Sequence, residues 1–144
     1  VDAKLHEDSI HRGPGQVIPA GRSGMYGAMV EAGTTLLEPK QKLFVTVPSD
    51  LMGGVNRELN SRRCTIEDMP MEGDQVTIIA AAPVAELFGF AGAIRGATQG
   101  RALWTTEFLG FSPIPRELLD NATRAIRTRK GLKPEPPTAD YYAA

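Results

Sequence analysis

With a single cysteine, Cys64, the chain cannot form an internal disulfide, and a reducing, cytoplasmic setting is the expectation. Positive charge is not in excess: 16 Lys and Arg against 17 Asp and Glu leave a formal net charge of −1. That excludes a protein coating nucleic acid through bulk charge, so any RNA contact must come from local clusters. No apolar run approaches the ~20 residues of a membrane-spanning helix, and no membrane partner is expected. The N-terminal VDAKLHEDS lacks the basic-then-apolar pattern of a secretion signal. No G-x-x-x-x-G-K-[ST] loop occurs, which removes that class of phosphate cradle, and neither a collagen-like period nor a solenoid repeat is visible. An initial Met is missing as well. A fragment of a longer protein is expected ahead of a full small protein that has lost its Met, because the first 38 residues offer too few elements to close a core. What remains is 144 residues, 42% apolar, enough for one domain or for a small domain with a piece of another.

The stretch Leu5 to Arg22 holds the only two histidines, His6 and His11. Leu5 and Ile10 flank a polar centre, which reads as a strand end running into an exposed loop. Gly13, Pro14 and Gly15 then form a turn, and Pro19 suits the first turn of a helix over 19–32. A His-Arg tip on such a turn is a presenting device. Met25, Ala28, Met29 and Ala32 recur at helical spacing, and this helix is expected to lie on a sheet. A connector at Leu36 to Pro39 follows, the expected domain boundary.

From Leu43 the pattern is regular. Leu43, Val45 and Val47 mark a strand, and Leu51, Met52, Val55 and Leu59 a helix ending near Arg62 and Arg63. A strand at 64–68 meets a turn at Met71 to Asp74, and an apolar strand runs over 75–81. Pro83 is expected to open a second helix with Val84, Leu87, Phe88, Ala91 and Ile94 inward. A last strand over 102–111 carries Trp104 and Phe108. The order β-α-β-β-α-β predicts an α+β, ferredoxin-like domain: a four-stranded antiparallel sheet with two helices on one face. A final helix begins at Pro115, with Glu117 and Asp120 near its start and Arg124, Arg127, Arg129 and Lys130 near its end, complementing its dipole. Gly131 ends it, and the Pro-rich tail is expected to be extended or disordered.

His6 and His11 could act as an acid/base pair oriented by Glu7 or Asp8, but the sequence supplies no nucleophile. His6, Glu7, Asp8 and His11 could also build a metal site, yet a five-residue spacing on a helix puts the two histidines ~140° apart around the axis. Gly89, Gly92, Gly96 and Gly100 read as close-packing or close-approach positions. Cys64 has no His or Asn spaced around it as a catalytic partner. The basic groups Arg62-Arg63, Arg95 with Arg101, and the final helix's end could each be a solvated helix terminus. Together with His11-Arg12 they point to separate contacts with a large anionic body, as RNA helices read by backbone and shape require.

The stretch LHEDSIHRGPGQVIPAGRSGMYGAM resembles the tip of the fourth domain of the elongation factor 2 family of ribosomal translocases, its archaeal branch above all. The likeness continues through LLEP, VPSDLMGGVNRELNSRR, GDQVTIIAAAPVAELFGFAGAIRGATQGRALWTTEF and RKGLKPEPP. It implies that 1–38 ends a fourth domain of ribosomal-protein S5-like fold, that 39–113 is the ferredoxin-like fifth domain, and that 114–144 is a closing helix and tail. It also implies that His11 is the histidine converted to diphthamide. The tip of His6, Asp8, His11, Arg12, Gly13 and Gly15 would contact tRNA and mRNA in the decoding region, while Arg95 and Gln99 would touch large-subunit RNA. The implied partners are the ribosome and the diphthamide-synthesis enzymes, for a monomeric chain. GTP and Mg would belong to a GTPase domain outside this chain, leaving it no cofactor, no metal and no catalysis of its own. Cys64 stands where the family usually has Gly; if that position needs φ > 0, the turn must differ or carry strain. The closing ADYYAA also departs from the family's usual ending. The alternative function is a stand-alone ferredoxin-like RNA-binding module with an N-terminal arm, and an enzyme built on the two histidines ranks third.

Overall fold

The computed structural model describes residues 4–143. In chain order its elements are α1 (Pro14–Glu31), β1 (Leu37–Pro48), α2 (Met52–Ser61), β2 (Thr65–Asp68), β3 (Met71–Glu72) and β4 (Gln75–Pro83). Then come α3 (Phe90–Thr98), β5 (Leu103–Pro113), α4 (Arg116–Arg129) and the short α5 (Asp140–Ala143). These elements form two compact units. One spans Leu37–Ile114, and the other is drawn from both ends of the chain, up to Leu36 and from Pro115.

Residues two apart on a strand share a face. Leu43, Val45 and Val47 on β1 and Val76, Ile78 and Ala80 on β4 are all buried, and the register pairs Val45 with Ile78 and Val47 with Val76. The strands run antiparallel in the order β2-β4-β1-β5, with β3 adding a short pairing to β4. Val55 and Leu59 of α2 and Phe90 and Ile94 of α3 close the same core. This is the ferredoxin-like arrangement expected from the element order, each fully buried Leu, Ile or Val contributing about 1.5–3 kcal/mol.

The boundaries differ in ways that have local causes. Of the connector expected at Leu36 to Pro39, Leu37 to Pro39 are already strand, paired with β5. The expected turn at Met71 to Asp74 narrows to Gly73 and Asp74, because Gly73 takes φ +65° and lets Met71 and Glu72 pair back onto β4. Pro83 ends β4 and opens no helix. A single 3-10 turn, Val84–Glu86, follows, and Gly89 at φ +75° intervenes before α3. That left-handed residue changes the phase. The inward set is therefore Phe90, Ile94 and Thr98, while Phe88 and Ala91, expected inside, lie outside. Phe108 is also exposed, beside a bulge at Leu109 that Gly110 accommodates with φ +124°.

The C-terminus of α2 answers the question raised by Cys64. The left-handed residue there is Arg63, at φ +57°, and Cys64 is not among the positive-φ positions. The Cys64 N–H donates to the Leu59 carbonyl (3.1 Å) and the Arg63 N–H to that of Asn60 (3.4 Å), the six-to-one and five-to-two bonds of a Schellman cap. The Cys64 thiol is buried, and burial above all pushes its pKa up to about 11, with Arg62 opposing. We predict that it resists a disulfide reagent at pH 8 until the unit unfolds. The folded pKa lies above the ordinary 9.0, so the folded state keeps a proton that the unfolded chain loses. Stability should therefore fall as pH rises from about 9 to 11, and Cys64→Ala should lose that dependence.

In the other unit, α1 begins at Pro14 and not near residue 19. Gly13 is its cap and Pro14 its first residue, leaving Pro19 inside the helix, where the Gly15 carbonyl loses its usual partner. α1 has no buried residue, and among the described residues this unit contains no strand for it to lie on, contrary to expectation. α4 ends at Gly131 in a second Schellman cap, the Leu132 N–H bonding the Arg127 carbonyl at 2.9 Å. The tail is not loose along its length. Arg127 donates to the Lys133 carbonyl, Arg124 pairs with Glu135, and Tyr142 of α5 packs against Tyr26 and over Gly27.

Candidate nucleic-acid interface

The expected strand end before His11 is absent over residues 4–8, and residues 1–3 lie outside the described residues. Ser9–Arg12 instead form one 3-10 turn, capped by the Asp8 carboxylate, which accepts from the Ile10 N–H at 3.2 Å. The Asp8 N–H donates to His6 Nδ1 at 3.0 Å, so that nitrogen carries a lone pair and the ring proton sits on Nε2. Arg12 donates to the Glu7 carbonyl at 3.0 Å. Three short-range bonds thus fold Glu7 to Arg12 back on themselves. Among the described residues Arg12 uses one of its five N–H groups.

His6 and His11 do converge. Their ring centroids are 4.6 Å apart at 64°, edge to face. The wheel argument that separated them fails because residues 6 to 11 share no continuous helix. Among the described residues no third Cys, His, Asp or Glu joins them to form a metal-binding group. Both rings are exposed, and neither ring nitrogen of His11 has a hydrogen bond among the described residues, while its backbone N–H donates to the Asp8 carbonyl at 3.2 Å. Gly13 caps α1 without a side-chain bond, and Gly15 follows in its first turn. The result is an exposed knot of imidazole and guanidinium at a helix N-terminus, a place that favours anions.

In the other unit, Arg95 lies exposed on α3 and Gln99 lies exposed at its C-terminal cap. The Arg95 guanidinium stands 5.9 Å from the Trp104 ring centre and has no ion pair among the described residues. Gln99 is left-handed at φ +53°, and Gly100 follows at φ +75°. Thr98, fully buried, donates to the Ile94 carbonyl (2.7 Å) and accepts from the Ala102 N–H (3.3 Å), closing this double reversal.

The Arg62-Arg63 group is no free basic patch. Arg63 forks onto both oxygens of Glu38 (3.2 and 3.0 Å) and reaches Glu86 at 2.9 Å. Its pKa is raised, chiefly by the Glu38 hydrogen bond and against the effect of burial. Arg62 pairs with Glu58 and donates to the carbonyls of Glu86 (2.6 Å) and Phe88 (2.9 Å). These arginines hold the fold together. The acids that occupy them, Glu38 and Glu86, lie 25 and 23 residues from Arg63, too far apart in sequence to be linked by local spacing.

The family model described as elongation factor G C-terminus matches residues 35–122. The chain is 58% identical over 144 residues to elongation factor 2 of Thermoplasma volcanium, and equally to that of Thermoplasma acidophilum, covering 100% of this chain and 20% of each relative. Elongation factor 2 of Methanopyrus kandleri is 57% identical over 142 residues, 99% of this chain and 11% of that one. The chain thus spans a fifth or less of the length of these relatives. A solved structure of a Thermus thermophilus protein matches with a TM-score of 0.63 at 33% identity, over 72% of this chain and 15% of that one.

Proposed function

We propose, since this chain belongs to the elongation factor G C-terminus family, that it is the C-terminal, ribosome-binding part of a translation elongation factor of the archaeal elongation factor 2 kind. In this reading the intact factor drives GTP-dependent translocation of tRNA and mRNA, with GTP and Mg held outside this chain. Residues 1–38 close a fourth domain, 39–113 are the fifth, and 114–144 add the last helix and tail. The His11 tip, with His6, Asp8, Arg12, Gly13 and Gly15, enters the decoding region. There it displaces the tRNA–mRNA duplex and blocks its return by bulk and charge, with no covalent step. Arg95 and Gln99 contact large-subunit RNA. No helix among the described residues is long and apolar enough to cross a membrane.

The observation that carries this reading is the tip itself: two convergent, exposed imidazoles and an exposed Arg12, held by local bonds at the head of an 18-residue helix. Conversion of His11 to diphthamide would add a cation where an RNA partner would meet it. α1 gives further support. Val17, Ile18, Met25, Tyr26 and Met29 are all exposed, so this helix carries apolar surface that a larger domain would cover. A stand-alone module with a free N-terminal arm leaves that surface in water.

Replacing His11 or Arg12 with alanine in the full-length factor is expected to change the unfolding free energy by less than about 0.5 kcal/mol, as for other exposed sites. Frameshifting in a reconstituted translocation assay should rise. An unchanged reading frame with either variant would remove the tip from the mechanism.

A further inference from the structure

α1 carries the tip, yet little in its own sequence steadies it. Gly15, Gly21, Gly24 and Gly27 each weaken the helix against alanine, Pro19 removes a hydrogen bond, and none of its residues is buried. Gly27 differs from the other three glycines. A Cβ there would stand 3.3 Å from Tyr142 Cβ and 3.7 Å from the Ala139 carbonyl oxygen, whereas one at Gly15, Gly21 or Gly24 would meet nothing within 4 Å. Glycine at 27 thus admits α5 against the helix backbone. Beside it the Tyr26 and Tyr142 rings meet edge to face at 5.8 Å, and Tyr142 meets Tyr141 at 5.1 Å. Apart from the 3-10 turn Ser9–Arg12, no other element among the described residues makes comparable contact with α1.

The other end of the tail is fixed to α4. Arg127 donates to the Lys133 carbonyl at 2.7 Å, and Arg124 pairs with Glu135 at 2.8 Å. Pro136 and Pro137 then lead stiffly towards α5, whose turn closes between the Tyr142 N–H and the Ala139 carbonyl at 3.0 Å. A stiff connector passes the position of α4 on to α1, where a flexible one would let the helix swing. From Gly27 back to Pro14 the helix is about 20 Å long. A tilt of about 10° at the Tyr142 seat would therefore move the tip by about 3 Å, enough to carry Arg12 out of hydrogen-bond reach of a partner.

We propose that residues 133–143 are a strap that positions the tip: Tyr142 seated on Gly27 fixes the direction in which α1 carries His6, His11 and Arg12. This rests on the reading of the tip as the part that meets the tRNA–mRNA duplex, and adds the residues that aim it. The test uses the full-length factor with Tyr142→Ala and Gly27→Leu, which break the contact from either side, and Tyr142→Phe, which keeps the ring. Hydrogen exchange is followed at the α1 amides, and frameshifting in a reconstituted translocation assay with His11→Ala alongside. Exchange in Tyr142→Ala should be about tenfold faster, as loss of an aromatic seat predicts. Frameshifting should rise in Tyr142→Ala and in Gly27→Leu, while Tyr142→Phe behaves as wild type. Unchanged exchange in Tyr142→Ala would mean that α1 is held without the strap, and the proposal would fall. Faster exchange with an unchanged reading frame, where His11→Ala shifts it, would overturn the positioning and leave the tip's role standing. An unchanged frame in every variant, His11→Ala included, would overturn the tip reading and the strap's role with it.

Discussion

Arg63→Ala should destabilise the Leu37–Ile114 unit by about 3 kcal/mol, because it strands a carboxylate. Glu38 is only 7% exposed, and both its oxygens are bonded to the Arg63 fork. Removing that partner leaves a buried charge that must be hydrated or protonated within the fold. Arg63 also sits at φ +57°, where glycine has no Cβ to strain. Arg63→Gly should therefore be less destabilised than Arg63→Ala, by about 1 kcal/mol, although both lose the ion pair. Adding Glu38→Gln to Arg63→Ala should recover part of the loss, giving a non-additive cycle. The sole tryptophan, Trp104, packs against Phe90 in this unit and reports its urea unfolding by fluorescence. Equal midpoints for wild type and Arg63→Ala would show that the pair contributes nothing.

Ile94→Ala should cost about 3–4 kcal/mol, and its effect should concentrate in α3. Ile94 is fully buried, centred on the inward row Phe90, Ile94 and Thr98. A nine-residue helix holding Gly92 and Gly96 is weak on propensity, and packing keeps it helical. Hydrogen exchange should therefore speed up more at the α3 amides than at those of β1. Affinity for large ribosomal subunits should drop although no proposed contact residue has changed. Uniform acceleration across the sheet would mean that α3 and the strands open together, and that the helix has no separate stability to lose.

Most of the fold could be read along the chain. Leu43, Val45 and Val47 alternate at period two, Val55 and Leu59 recur at helical spacing, and the order of such segments leaves few topologies. Two misreadings concern where a helix begins: α3 starts after left-handed Gly89 and not at Pro83, which rotates its inward face, and α1 starts at Pro14 and not at Pro19. Phe88 looked like core because 84, 87, 88, 91 and 94 make a plausible wheel, and only the left-handed glycine breaks it. The tip residues could be identified, but the meeting of His6 with His11 could not, since it depends on a turn that is not a helix. Arg63 looked like part of a basic patch because the acids that satisfy it, Glu38 and Glu86, are far away in sequence, whereas the Glu58 that pairs with Arg62 lies one helical turn before it.

The sequence by itself determined the α+β class, the strand and helix order and the tip's composition, because hydrophobic period and turn chemistry are local properties. Tertiary structure alone decided that Arg63 is held by Glu38 and Glu86 while Arg95 faces solvent, and which of two neighbouring phenylalanines is inside. Those outcomes depend on what comes within a few ångströms after the chain has closed on itself, and distance in space is not written in spacing along the chain.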